Sequence, residues 1–459
     1  MTDAMTNPAT APALAAGSAT RAARREAVIE AMRAAGGGVA ILPTAPERMR
    51  NRDSDYPYRW DSYFHYLAGF PEPEAVLVIV ADDAHAESVL FCREKNEERE
   101  IWDGFRYGPD AAAAHFGFDR ALPIGSLDEE VPRLLANRTA LFHALGADET
   151  LDTRVRLWLG EVRAQARAGI GAPTRAIDLL AILDEMRLRK DDLELDTMRR
   201  AARISAAAHR RAMRASAPDR FEYEIEAELL YEFRRQGAQA PAYGSIVAAG
   251  ANACVLHYRA NDARMREGDL LLIDAGCEFD GYASDITRSF PVGGRFSGAQ
   301  RALYDIVLAA QHAAIAATRP GARFDDPHNA AVAVLAQGMI DTGLLTGSRD
   351  GVIESGAFRR FYMHRTSHWL GMDVHDCGEY QEPGERDADG NRPWRILHPG
   401  MVLTIEPGIY VRAADDVPTA MHDIGIRIED DVVVDAGGCE VITADVPTDP
   451  DEIEALMRG

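Results

Sequence analysis

At 459 residues, 47% hydrophobic and 27% charged, the chain has the composition of a soluble globular protein with room for two or three domains. A net charge of −23 argues against nucleic acid as a partner, since phosphate would meet a repelling surface. Five scattered cysteines without a CxxC pair suit free thiols in a reducing compartment, not a disulfide frame or a thiolate zinc site, and no apolar run approaches a membrane span.

Residues 1–20, rich in Ala, Thr and Pro with an acid at Asp3, lack the order of a secretory signal and read as a disordered tail. A cytoplasmic location is expected. Arg21–Ala35 is helix-like and leads through Gly36–Gly38 into a strand at Val39–Leu42. Strands at Ala75–Val80, Ser88–Phe91 and Ala140–His143 alternate with helix patterns around Pro109–His115 and Ser126–Leu135, so residues 21–173 form an α/β domain. After a boundary at Ala172–Thr174, Leu179 to about Ala215 reads as one or two long helices, and Phe221–Gln236 as another. Residues 174–459 then form a second domain, in which glycine-bounded strands alternate with helices such as Ala299–Thr318 and Asn329–Thr342. Glu379–Trp394 reads as an exposed loop.

Two stretches of the second domain are near copies. Gly268-Asp-Leu-Leu-Leu-Ile-Asp-Ala-Gly276, shifted by 132 positions (400 − 268), superposes on Gly400-Met-Val-Leu-Thr-Ile-Glu-Pro-Gly408. Asp274 then falls on Glu406 and Gly276 on Gly408. Each is an apolar run too short for a helix, as suits a buried strand ending in a turn. Two such strands can match by chance, and the surroundings of the two acids decide. Asp285 follows in Gly281–Arg288, where a turn between short strands would bring it beside Asp274. Close carboxylates repel and, unless one is protonated, call for a cation. Glu406 is likewise followed by Glu429 in Ile424–Asp430, where alternation puts Arg427 and Glu429 on one face and Ile426 and Ile428 on the other.

Between these acids lie His364, His368 and His375, three histidines in twelve positions and not in HExxH spacing. Four carboxylates and an imidazole make a mainly oxygen donor set that favours Mn²⁺, Mg²⁺ or Co²⁺, with zinc left open. Such a set can hold two ions and a bridging water, whose chemistry is amide or ester hydrolysis.

The set Asp274, Asp285, His368, Glu406 and Glu429, each in its context, resembles the metallopeptidases with the pita-bread fold, the group of methionine aminopeptidase, prolidase and aminopeptidase P. The words Leu256-His-Tyr258, Leu272-Ile-Asp-Ala-Gly-Cys277, Ser367-His-Trp-Leu-Gly371, Val374-His-Asp376, Thr404-Ile-Glu-Pro-Gly408 and Gly425-Ile-Arg-Ile-Glu-Asp430 are similar to those of bacterial aminopeptidase P (Xaa-Pro aminopeptidase). So are Asp53-Ser-Asp-Tyr-Pro-Tyr58, Gly69-Phe-Pro-Glu-Pro-Glu-Ala75 and Glu100-Ile-Trp102 in the first domain, so the resemblance spans nearly everything after the tail.

The resemblance implies an α/β chain with an N-terminal domain and a C-terminal pita-bread domain of pseudo-two-fold repeat. It implies two divalent metal ions, Mn²⁺ foremost, with Asp274 a ligand to one, Asp285 and Glu429 bridging both, and His368 and Glu406 completing the second. A metal-bridging hydroxide would attack and Glu406 would shuttle its proton to the leaving amine. His257 and His375 would contact the scissile peptide, and His364 and Arg427 would line the proline side, the alternative for these four being structural support behind the ligands. Tyr410 and Trp102 match positions near the site, although aromatic residues are more often core. Asp53 and Trp102 lie in a region that in the family reaches a neighbouring subunit's cleft, which implies a homotetramer or homodimer.

The expected activity is removal of the first residue from peptides with proline second, and the runner-up is a prolidase restricted to Xaa-Pro dipeptides. A metal-free peptide-binding module and a creatinase-like hydrolase are disfavoured, because all five ligand positions keep competent residues. Two departures from the family stand out. Arg365-Thr366 follows His364 where relatives carry small or apolar residues, and the loop Glu379–Trp394 is longer than usual.

Overall fold

The computed structural model describes residues 11–384, 386 and 390–459. The first ten residues of the expected tail and part of the loop Glu379–Trp394 lie outside the described residues. The chain divides into two compact units, one ending at Glu185 and the other beginning at Met186.

Helix α1 (Ala11–Ala34) opens the first unit. Residues 11–20, read as tail from their composition, are thus helical. Their alanines are strong helix formers, and the run continues directly into the helix expected from Arg21. Six strands form one sheet: β1 (Gly38–Pro43), β2 (Val76–Ala81), β3 (Ala86–Cys92), β4 (Arg120–Pro123), β5 (Ala140–Phe142) and β6 (Arg175–Ile177). Their spatial order is β4-β3-β2-β1-β5-β6, with β1–β2 and β2–β3 antiparallel and the other pairs parallel. Alternate side chains, among them Val39, Ile41, Val78, Val80, Val89 and Phe91, pack against Leu151, Val155 and Trp158 of helix α2 (Glu149–Ala164). The boundary expected near residue 173 falls later, inside helix α3 (Leu179–Leu188). The cause is β6, which pairs with β5 and so keeps residues 175–177 in the first sheet.

The long helical stretch after Leu179 is two helices. The second, α4 (Asp192–Ala215), starts at a capping box in which Asp191 and Glu194 each accept the other's backbone N–H. Helices α5 (Glu222–Arg235), α6 (Gly298–Ala317) and α7 (Asp326–Asp341) surround short antiparallel sheets. One has the order β7 (Ile246–Ala249), β8 (Leu270–Asp274), β9 (Thr287–Pro291); the other contains β10 (Val402–Ile405) and β13 (Asp430–Val434). Between them in sequence, β11 (Gly408–Val411) pairs with β12 (Ile424–Arg427). The near-copied stretches are indeed strands, and β8 and β10 begin at the same 132-residue offset (402 − 270).

Leu271 and Ile273 of β8 and Leu403 and Ile405 of β10 share one core with Ile426 and Ile428. Each buried aliphatic side chain contributes roughly 1.5–3 kcal/mol of transfer free energy. The glycine two residues after each acid is there for close approach. A Cβ on Gly276 would lie 1.7 Å from the Ser284 carbonyl oxygen, and one on Gly408 would lie 2.7 Å from that of Ile426. Only glycine lets these chains close to this distance. Among the described residues no helix is long and apolar enough to cross a membrane, and all five cysteines are unpaired.

Candidate metal centre

Strand pairing delivers the acids. In the β8–β9 pair Asp274 lies opposite Thr287, two residues past Asp285, and the Gly276 approach holds the intervening turn tight. In the β10–β13 pair Ile405 lies opposite Asp430, so Glu406 and Glu429 emerge together at the strand ends. The two halves meet there: the Glu429 amide donates to the Thr287 carbonyl at 3.0 Å, and the Thr287 hydroxyl donates to Glu429 Oε2 at 2.6 Å.

The histidine segment runs beside β10. Glu406 N–H donates to the Thr366 carbonyl (2.8 Å), and Thr404 N–H to that of His368 (3.0 Å). His368 Nδ1 lies 2.9 Å from the Trp369 carbonyl, which fixes the proton on Nδ1. Its Nε2 then faces the acids, 3.6 Å from Asp285 Oδ2 and 3.7 Å from Glu406 Oε1. Asp285, His368 and Glu429 each bring one donor atom within 4.8 Å of the others. All five expected ligands line one cavity of about 580 Å³, together with His257, His364, His375 and Arg427.

Arg427 ties several of these groups together. Its guanidinium donates to Asp274 Oδ2 (2.6 Å), to Thr287 Oγ1 (3.1 Å) and to the Tyr410 hydroxyl (3.0 Å). Tyr410 is buried and reaches His364 Nε2 at 2.8 Å, while His364 Nδ1 faces the Arg365 carbonyl at 2.7 Å. His375 and His257 are exposed on the cavity wall, the His375 ring centred 4.1 Å from that of His368. Asp53 and Trp102 belong to the first unit. Asp53 is exposed in a turn with φ 62°, and Trp102, on the helix Glu97–Asp103, is 81% exposed.

The electrostatics are those of crowded buried acids. Burial, with Asp285, Glu406 and Asp274 nearby, pushes the Glu429 carboxyl well above the usual range. Burial likewise raises Asp274 despite Arg427, and raises Glu406 to about 7 against His368 and Arg427. Burial disfavours a charged His368, but Asp285 and Glu406 outweigh it and lift the imidazole to about 9. So many like charges in one buried place fit a resident cation, and three carboxylate oxygens or more with one imidazole nitrogen fit a divalent ion of hard or borderline character.

Three further residues, none of them expected from the sequence motifs, join the site. The Tyr243 hydroxyl lies 2.6 Å from Asp274 Oδ1 and 2.5 Å from Asp285 Oδ1, Thr287 joins Arg427 to Glu429, and Asp431 Oδ2 accepts the Asp285 N–H at 3.0 Å. Thr287 opens β9 two residues after Asp285 and lies within the motif that carries that acid. Tyr243, 31 residues before Asp274, left no local signal.

Residues 196–436 match the model of metallopeptidase family M24, and residues 21–142 match the aminopeptidase P N-terminal domain. The chain belongs to family M24, in its aminopeptidase P branch. Xaa-Pro aminopeptidase of Escherichia coli is 46% identical over 94% of this chain and 96% of its own length. The structure of Pseudomonas aeruginosa aminopeptidase PepP superposes with a TM-score of 0.92 at 50% identity, covering 96% of this chain and 98% of that one. E. coli aminopeptidase P with the inhibitor Pro-Leu gives 0.91 at 45% identity, covering 96% and 98%. As a family of metallopeptidases, M24 implies divalent metal ions, in accord with the donor set of this branch member.

Proposed function

We propose that the chain is an Xaa-Pro aminopeptidase that removes the first residue from peptides whose second residue is proline. The observation that carries this reading is the convergence of Asp285, His368 and Glu429 within 4.8 Å, flanked by Asp274 and Glu406 in one cavity. Relatives named for this activity, matching along more than nine-tenths of the chain, support it. In this reading the five residues hold two Mn²⁺ ions. Divalent ions held there would supply Lewis acidity, lowering the pKa of a water and offsetting charge on the scissile carbonyl oxygen.

The protein's own groups do the rest. Glu406, in the cavity beside the other ligands, is the carboxylate assigned to take a proton from the attacking water and return it to the departing proline nitrogen. Like any amide nitrogen it leaves only once protonated, and as a tertiary amide nitrogen it brings no hydrogen of its own. In this reading His257 and His375, which line the cavity, donate to the carbonyl oxygen. His364, Tyr410 and Arg427 form a hydrogen-bonded wall for the proline side. Asp53 and Trp102 belong to the reading as groups offered to a neighbouring subunit in a homodimer or homotetramer. The exposure of Ile101 (82%) beside Trp102 supports an interface there.

The test is product analysis on Ala-Pro-Ala, Ala-Pro and Ala-Ala-Ala with chelator-treated protein, with and without Mn²⁺. Metal-dependent release of alanine from Ala-Pro-Ala, with Ala-Ala-Ala intact, is expected. Cleavage confined to Ala-Pro would give the prolidase activity instead, and no cleavage with any divalent metal would overturn a peptidase.

A further inference from the structure

Arg365 lies on the wall of the same cavity as the acids, next in sequence to His364. It forms an ion pair with Asp325, and its guanidinium carbon stands 4.5 Å from the centre of the Trp394 ring. Both partners are themselves anchored. Asp325 accepts a hydrogen bond from Asn329 Nδ2 at 2.9 Å, and the Trp394 carbonyl accepts from Arg323 at 2.7 Å. The Arg365 side chain nevertheless remains 47% exposed. A cation fixed by a ring and a carboxylate, yet open to solvent in a substrate-sized cavity, is preorganised for a second anion.

A guanidinium carries five N–H donors in a planar fork that matches carboxylate geometry. The Asp325 contact uses Nη2. Stacking on the Trp394 ring restricts the plane of the fork, so little rotamer freedom is left to lose on binding. A chain of net charge −23 repels acidic peptides at long range, which makes a local cation in the cleft the place where such a peptide gains a favourable contact. His364 and Arg365 line the same cavity, so a peptide whose proline is held against His364 has the Arg365 guanidinium within that cavity for the residue that follows.

We infer that Arg365 is a specificity-determining residue that reads a carboxylate on the substrate immediately beyond the proline. The inference rests on the Xaa-Pro reading, which assigns the His364 side of the cavity to proline. The carboxylate has two sources: the side chain of an acidic third residue, or the free C-terminus of a tripeptide. Asp325 occupies the guanidinium in the absence of peptide and competes with either.

The experiment compares kcat/KM of the Mn²⁺-loaded enzyme on Ala-Pro-Ala-amide, Ala-Pro-Glu-amide, Ala-Pro-Lys-amide and Ala-Pro-Ala. A charge-assisted contact predicts about a tenfold advantage over Ala-Pro-Ala-amide for at least one carboxylate-bearing peptide. Whether the advantage falls on the Glu amide or on the free acid identifies the source. Arg365→Gln should bring that ratio to about one, Arg365→Lys should restore part of it, and Asp325→Asn should widen it, circular dichroism confirming the fold of each variant. Because Asp325→Asn moves the ratio in the opposite direction, general damage to the protein cannot mimic the pattern. A wild-type ratio near one, or an unchanged ratio in Arg365→Gln, overturns the inference while turnover of Ala-Pro-Ala-amide leaves the Xaa-Pro reading standing. No turnover of any peptide overturns both.

Discussion

The Tyr410 hydroxyl stands 2.8 Å from His364 Nε2, and this contact fixes the direction of a chain of hydrogen bonds through the cavity wall. His364 Nδ1 faces a carbonyl, which can only accept, so Nδ1 carries the proton and Nε2 accepts from Tyr410. Tyr410 in turn accepts from Arg427. Burial and the nearby Arg427 hold the His364 imidazole down to about 3, so it is neutral at working pH. Tyr410→Phe should leave His364 Nε2 and one Arg427 donor without this partner, at about 1–3 kcal/mol. We expect a loss of roughly tenfold or more in kcat/KM on Ala-Pro-Ala with the fold intact, checked by steady-state kinetics and circular dichroism.

The acid cluster makes an unusual stability prediction. With the metal stripped, Glu429→Gln should melt at a higher temperature than wild type, because it removes one of several mutually repelling buried carboxylates. Added Mn²⁺ should reverse the order. It stabilises the wild type by about 2.7 kcal/mol at a hundredfold excess over Kd, while the variant gains much less. Differential scanning calorimetry with and without metal reads both signs.

Loss of chemistry should separate from loss of fold at the same place. Asp285→Ala and Glu406→Ala should abolish hydrolysis of Ala-Pro-Ala while circular dichroism stays that of the parent. Turnover close to that of wild type in either variant would overturn the assigned roles.

Behind His375 lies a buried ion cluster. Asp376 accepts from Arg187 Nη2 at 2.7 Å and from Lys190 Nζ at 2.8 Å, with all three side chains 1% exposed. Replacing one member strands the others without compensation, so Asp376→Asn should cost about 3–5 kcal/mol in urea unfolding. Displacement of the neighbouring His375 should also lower kcat roughly ten- to hundredfold.

His209 supplies a pH signature. It is fully buried with Nε2 2.9 Å from the Ala275 carbonyl, and burial lowers it to about 4. Between the unfolded value near 6.5 and pH 4 the unfolded chain binds a proton that the native one does not, so its stabilisation, full above that range, falls as pH falls. From pH 7 to pH 5 this amounts to about 2 kcal/mol. The raised carboxyls of the metal-free cluster act in the opposite sense, so the measurement is the difference between wild type and His209→Gln in urea unfolding at the two pH values.

Much of this was legible in the sequence because the site is built on strands. Period-two alternation placed Arg427 and Glu429 against Ile426 and Ile428, and both isoleucines are in the core. The paired glycines announced β8 and β10 before any contact was known. The alanine-rich start of α1 misled, since composition alone does not separate a tail from a helix. The boundary near 173 misled because one three-residue strand, β6, carried too little pattern to be seen. Tyr243 and Asp431 were invisible for a different reason: their roles exist only through long-range contacts that no local spacing encodes.

The hydrogen bonds between Thr287 and Glu429 have a consequence for how this chain can change. Asp274 and Asp285 come from one half of the second unit, Glu406 and Glu429 from the other, and neither half holds more than two of the four acids. Ancestry is therefore constrained in pairs: a substitution acceptable to the packing of one strand must also be acceptable across the seam. The smallest heritable module is the two halves together, since a chain cut back to either would keep two acids of four and only part of the shared core.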